Sequence, residues 1–253
     1  MDLLLAIRFD FDTVGDFLFH PIILRAMRET LYIALLAMVL GVGLGVVLAV
    51  MRVSRNPVVS GVAGIYVWFW RATPVILQLL LVYFGLRQLI EEDIFRDNWT
   101  RWRAAVITFG LNEAAYMAEI VRGGIQSVES GQMDAAKSLG MTNFQALRRI
   151  ILPQALRVII PPTGNEFIAM LKNTSVAFAI GVVELLNAAK IQAARNFKPM
   201  ELYTVAAFWY LVMVSIFSLL QAELERALTV SERERPETLL SRAVAVIGGR
   251  RGV

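Results

Sequence analysis

Asp134 to Pro153 reads D-A-A-K-S-L-G-M-T-N-F-Q-A-L-R-R-I-I-L-P, a polar, helix-forming island in a strongly apolar chain. Ser130 is placed to act as N-cap of a first short helix. Asp134 then falls in the first turn, where a carboxylate suits the helix dipole. Gly140 stops that helix, because glycine takes the left-handed position beyond a C-cap without steric cost. Thr142 followed by Gln145 has the spacing of a capping box and starts a second helix. Pro153 stands where an apolar helix begins, and proline is tolerated at a first helical position. Two short helices at a hinge, flanked by apolar segments, describe a docking element rather than a core.

The flanks have the character of membrane spans. Of 253 residues, 57% are hydrophobic, and the mean hydropathy is +0.59. A soluble domain of this length does not need so much apolar sequence. Thr30 to Met51 holds 22 residues without a charge, and Leu202 to Ala222 holds 21. Each matches the ~20 residues that cross ~30 Å of hydrocarbon. The pattern predicts an all-α integral membrane protein with five spans, near 25–51, 58–89, 104–122, 154–172 and 201–223. Residues 1–24 read as an interfacial lead-in, 25–224 as the transmembrane domain, and 225–253 as a charged tail.

Five spans put the two ends on opposite sides. Arg52 with Arg55, the island's Lys137, Arg148 and Arg149, and the arginine-rich tail then share one side. Inner-face loops collect Lys and Arg, so the N-terminus is expected outside and the C-terminus in the cytoplasm. The same rule accounts for the net charge of +4, from 25 Lys+Arg against 21 Asp+Glu, and no nucleic-acid partner is expected. Leu3 to Ile7 is too short an apolar run for a signal peptide, and aspartates replace its positive region.

Catalytic chemistry finds little support. The chain has no Cys and one His, so disulfides, thiolate metal sites and Ser/His/Asp or Cys/His sets are not expected. His20 reads as a surface residue beside Pro21. Gly131 to Ser138, G-Q-M-D-A-A-K-S, is close to a phosphate-binding loop, but Ala136 replaces the second glycine and no strand precedes it. No ATP hydrolysis, cofactor or metal is expected of this chain.

The spans themselves carry signals. Gly41 and Gly45 form a small-xxx-small pair that lets helices approach. The second span is interrupted by Arg71 and Pro74, with Tyr66, Trp68 and Trp70 as a candidate aromatic belt; Trp99 and Trp102 mark the interface again. In the third span Asn112, Tyr116 and Glu119 share a face, which must meet a partner helix or a watery path. A kink is expected at Pro161-Pro162 in the fourth span. A transported zwitterion needs partners of both signs. Glu113, Tyr116, Glu119, Glu166, Lys172 and Thr174, with Arg71 further out, offer both. The alternative is that these charges pair among themselves and hold the bundle together.

Asp134-Ala135-Ala136, Gly140, Ile150, Leu152 and Pro153 fall at the spacing of the EAA loop of ABC-importer permeases, E-A-A, three residues, G, nine residues, I-x-L-P. Asp134 stands where that family has Glu. Residues 71–85, R-A-T-P-V-I-L-Q-L-L-L-V-Y-F-G, resemble the R-G-T-P-x-x-x-Q-L segment of polar-amino-acid permeases, the histidine, glutamine, glutamate and arginine type, with Ala72 for Gly. Residues 112–124 and 164–176 are similar to two further segments of those permeases.

The resemblance implies a multi-pass subunit of a binding-protein-dependent amino acid importer in the cytoplasmic membrane of a prokaryote. Two ABC ATPase subunits, using ATP and Mg, would bind below. A second permease subunit, a copy or a sister, would pair across the path. An extracytoplasmic amino-acid-binding protein would deliver the substrate. The loop at about 123–152 would couple through Asp134, Ala135, Ala136, Gly140 and Pro153. A stand-alone channel or ion-coupled secondary transporter would use the same buried charges without ATP but needs no docking loop, and a signalling or scaffold protein needs no buried charges.

Overall fold

The computed structural model describes residues 9–90 and 97–228. The start of the lead-in, the middle of the acidic loop after Ile90 and most of the tail lie outside the described residues. Every element among the described residues is helical.

Helix α1 (Phe11–Leu18) is capped by Asp10, whose carboxylate accepts from the N–H groups of Asp12 and Thr13. Helix α2 (Pro21–Arg52) starts on its proline, with His20 as N-cap. His20 Nδ1 accepts from the Ile22 N–H at 3.2 Å, so the single histidine has a local structural task.

Helix α3 (Pro57–Ala72) ends before Thr73-Pro74, where proline cannot continue the hydrogen-bond ladder. The chain resumes as α4 (Val75–Leu80), a π turn over Leu81–Gly85 and α5 (Leu86–Leu89), and the axis swings by 106° at the break. Helix α6 (Arg101–Gln126) follows, then the island helices α7 (Ser130–Ser138) and α8 (Asn143–Ala146). A π turn at Leu147–Ile151 leads into α9 (Leu152–Asn173) and a 3-10 segment at Thr174–Ile180. Helix α10 (Leu185–Asn196) leaves at 51°, and α11 (Pro199–Leu228) closes the fold.

Three helices, α2, α6 and α11, are long and apolar enough to span a membrane, and five spans result if each bent pair counts as one. The α2–α6 pair is the axis of the bundle. A Cβ on Gly41 would stand 2.6 Å from Cβ and Cγ of Glu113, and one on Gly45 would collide with Met117. Both glycines are there because the backbones touch, as small-residue packing in lipid requires. Ile33, Ala37, Leu79 and Phe109 pack one core beside this seam; Ile23, Leu185 and Val205 pack another where the start of α2 meets α10 and α11, with α1 against it.

Several expectations change. The cap of α7 is Glu129, which makes no side-chain cap bond; Ser130 is already helical, so Asp134 sits mid-helix rather than in the first turn. Pro153 does not open a separate helix: α8, the π turn and α9 form one continuous run. The widened π turn lies just ahead of Pro153, where its ring would otherwise press on the carbonyl four residues earlier. Helix α9 continues through Pro161 and Pro162, and the bend lies beyond Ile180. Trp99 is no interface marker, since it is buried and donates to the Tyr83 carbonyl at 3.2 Å. Helix α11 runs on to Leu228, four residues into the stretch read as the tail.

Candidate substrate path and coupling element

The break between α3 and α4 leaves the last carbonyls of α3 without helical partners. Gln78, 2% exposed, supplies them: its Nε2 donates to the Trp70 carbonyl at 2.8 Å, the Thr73 carbonyl at 3.0 Å and the Thr73 hydroxyl at 2.7 Å. Asn112 of α6 donates from Nδ2 to the Trp70 carbonyl and to Gln78 Oε1. Tyr66 donates its hydroxyl to the Leu111 carbonyl at 2.8 Å. The polar face of α6 read from sequence therefore meets the broken helix and holds the break open.

Arg71, exposed at the end of α3, lies 5.3 Å from the centre of the Tyr116 ring. Glu113 points to the neighbouring face of α6, is 3% exposed and packs on Gly41. Its Oε1 has no hydrogen-bond partner. Glu166 of α9 is half-buried and close enough to act electrostatically on Glu113, and Arg71 acts in turn on Glu166. Four candidates, Arg71, Glu113, Tyr116 and Glu166, thus form one neighbourhood.

The other three separate from it. Glu119 is bound by Arg52 at 3.4 Å and Arg122 at 2.6 Å, towards the end of α6 nearest the island, so it ties α2 to α6. Thr174 is buried and spends its hydroxyl on the Leu171 carbonyl at 2.9 Å. Lys172 is exposed at the end of α9. At the opposite end of α6 from Glu119, an open cleft of about 550 Å³ is lined by Glu29, Arg87, Asp97, Arg101 and Trp102 among others, and includes none of the seven candidates.

On the island, Gly140 adopts φ +79°, and its N–H donates to the Lys137 carbonyl at 2.9 Å while Met141 donates to Ala136 at 3.1 Å. That is a Schellman closure of α7. The Thr142–Gln145 capping box forms in both directions, at 3.2 and 2.9 Å. Asp134 and Ala135 are exposed, whereas Ala136 is buried against the island. Sequence reading missed two further residues: Leu139 and Phe144 are 79% and 69% exposed beside the turn. Two large apolar residues in a polar stretch were the signal that could have found them. Sequence reading met Gln78 only as a position of the 71–85 segment and gave it no role. Among the described residues no group of three or more His, Cys, Asp or Glu side chains is placed to hold a metal.

Residues 41–230 match the family described as binding-protein-dependent transport system inner membrane component. The chain belongs to this family. Relatives include the arginine transport system permease protein ArgU of Corynebacterium glutamicum, 45% identical over 96% of this chain and 79% of that protein. The glutamine transport system permease protein GlnP of Escherichia coli is 32% identical over 83% of this chain and 94% of its own length. A crystal structure of an amino acid ABC transporter with histidines is similar at TM-score 0.78 and 36% identity, covering 87% of this chain and 100% of that one. An inward-facing MetNI methionine ABC transporter shares the fold, at TM-score 0.66 and 19% identity over 82% and 96% of the two chains. Membership in this family sets aside the stand-alone channel or ion-driven carrier.

Proposed function

We propose that this chain is the transmembrane subunit of an ATP-driven, binding-protein-dependent importer of amino acids, and that it forms the path and couples it to separate ATPase subunits. The relatives' names carry the amino acid, and the family carries the importer. The observation that carries the coupling is mechanical. The exposed island at Asp134–Phe144 joins α9 through one continuous helical run from Asn143 to Asn173, and α9 bears Glu166.

In this reading α7 sits in a groove of the ATPase, with Asp134, Ala135 and Gly140 at the contact and Leu139 and Phe144 as its apolar anchors. Pro153 keeps the run stiff behind the π turn. Closure of two ATPase subunits on ATP and Mg pushes the island, and the push travels along α9 to the neighbourhood of Arg71 and Glu113. The path opens to the outside, where a binding protein releases its amino acid, and a second permease subunit completes the path. The N-terminus lies outside and the C-terminus in the cytoplasm, in the cytoplasmic membrane of a prokaryote.

The test is to purify the protein from its own membranes and measure ATP hydrolysis. A co-purifying ATPase stimulated by a binding protein with its amino acid is the expected result. A chain that carries no nucleotide-binding partner would overturn the coupling to separate ATPase subunits.

A further inference from the structure

We propose that the open cleft at the far end of α6 from the island is a second amino acid site, which grips the α-ammonium and α-carboxylate of the cargo before it enters the path. The proposal rests on the importer reading and deepens it.

The cleft, of about 550 Å³, has the size of a small-molecule site. Four charged side chains line it, Glu29 and Asp97 of one sign and Arg87 and Arg101 of the other. None of the four is in an ion pair among the described residues, although the solvent-facing pairs Lys198–Asp10 and Arg226–Glu223 close to 3.3 and 2.6 Å. Opposite charges that share a cleft without closing on each other are held apart, and the contacts show how. Trp102 Nε1 donates to Glu29 Oε2 at 3.1 Å, and Arg87 Nη1 donates to the Tyr83 hydroxyl at 3.4 Å. Each charge is positioned by a neutral group that leaves it unanswered. Arg101 lies across Gly181, where a Cβ would stand 3.1 Å from its Nη1 and where φ is +78°. A residue without a side chain keeps that guanidinium in place.

The location separates this cleft from the Arg71–Glu113 neighbourhood. Glu29 stands directly before the uncharged run that begins at Thr30, so the cleft lies at the water side of the hydrocarbon boundary. Trp102 and Glu113 are eleven residues apart on one helix, about 16 Å at the usual rise. The charges select the ligand. An amino acid carries one charge of each sign on its backbone, so its carboxylate meets the arginines while its ammonium meets Glu29 and Asp97. An acidic or a basic peptide loop satisfies one pair and is repelled by the other. Both groups are common to all amino acids, so the site reads the backbone and discriminates little among side chains. The charges stay in contact with water, which sets a weak affinity, with Kd about 1 mM.

The experiment uses the complete transporter in phosphatidylglycerol nanodiscs, with its ATPase activity recorded first so that the importer reading is judged separately. The chain has no cysteine, so Val183→Cys places one thiol on this chain, at an exposed position of the cleft wall. Its alkylation by a maleimide is followed by the mass of this chain. L-glutamine and L-alanine are each expected to slow the labelling at millimolar concentration. N-acetyl-L-glutamine and L-glutamine methyl ester, each lacking one charge, are expected to be weaker by about fivefold, the scale of one exposed ion pair. Glu29→Gln keeps the acceptor for Trp102 but not the charge, and is expected to weaken glutamine to the same extent; Arg101→Ala does likewise. Labelling that neither amino acid slows overturns the proposal. So does protection by N-acetyl-glutamine equal to that by glutamine, which would mark an anion site, or protection untouched by both variants. Protection that disappears when half of the lipid is phosphatidylethanolamine also overturns it, because the cleft would then hold a lipid headgroup. If the cysteine variant does not assemble, saturation transfer to glutamine and its two derivatives, compared between the unaltered transporter and Arg101→Ala, decides in the same way. Missing ATPase activity beside normal protection tells against the importer reading and leaves the cleft standing.

Discussion

Asn112 Nδ2 donates to Gln78 Oε1 across 2.9 Å, and this bond joins α6 to α4 beside the break between α3 and α4. The same Gln78 amide holds the Trp70 and Thr73 carbonyls, so one side chain serves the frayed end of α3 and locks α4 against α6. Gln78→Leu removes the acceptor of Asn112 and the donor of two backbone carbonyls at once. Leaving buried polar groups unanswered costs about 1–3 kcal/mol each. The variant is expected to melt several degrees lower in detergent and to lose uptake, whereas Gln78→Glu, which keeps the acceptor, rescues part of the stability. Unchanged melting in Gln78→Leu would show that the break does not depend on this amide.

At the other end of the chain, Asp10 is held down from its ordinary 3.8 to about 2, first by the Thr13 hydroxyl, then by the Thr13 N–H and Lys198. Its folded value lies below its unfolded one. Its contribution is therefore complete above about pH 4 and is lost as the pH falls through about 2. Asp10 also ties α1 to the start of α11, through Lys198 at 3.3 Å and through its own N–H to Glu201 at 3.1 Å. Amide protection across α1 is expected to be flat from pH 7 to pH 4 and to fall below it, while Asp10→Ala, which removes the cap, shows low protection throughout. Loss of protection already near pH 6 would contradict this assignment.

What could be read from the sequence was local. Thr142 and Gln145 stand three apart, Gly140 follows a helix, and Gly41 and Gly45 stand four apart; each signal is complete within one turn, and each is found in the structure. What escaped depends on segments far apart in the chain. Glu119 finds Arg52, 67 residues away, and Asn112 finds Gln78, 34 residues away, so neither partner was visible from spacing. Ser130 and Pro153 were misplaced for a related reason. A cap and a first-turn proline look alike whether the helix begins there or one turn earlier, and the neighbouring packing decides.

Glu119 thereby changes role. With Arg52 and Arg122 both on its carboxylate, it is spent within the bundle. All three side chains keep some contact with solvent, so the pairs are worth about 1 kcal/mol or less apiece. Glu119→Gln is expected to lower the melting temperature slightly and to leave the order of competing amino acids as it was. A changed substrate order in that variant would return Glu119 to the path.

Gly140 and its apolar neighbours test the coupling directly. At φ +79° a β-branched side chain is strained, by about 1–2 kcal/mol for a non-glycine residue in this region. That is small against the stability of the whole bundle but enough to unwind the turn that presents α7. Gly140→Val is expected to insert into the membrane normally and to abolish uptake. Leu139→Ser and Phe144→Ser alter nothing in the bundle, because both side chains stand outside it. Each is expected to weaken co-purification of the ATPase while amino acid binding to the path survives. Normal uptake by Gly140→Val would remove the coupling role from the island.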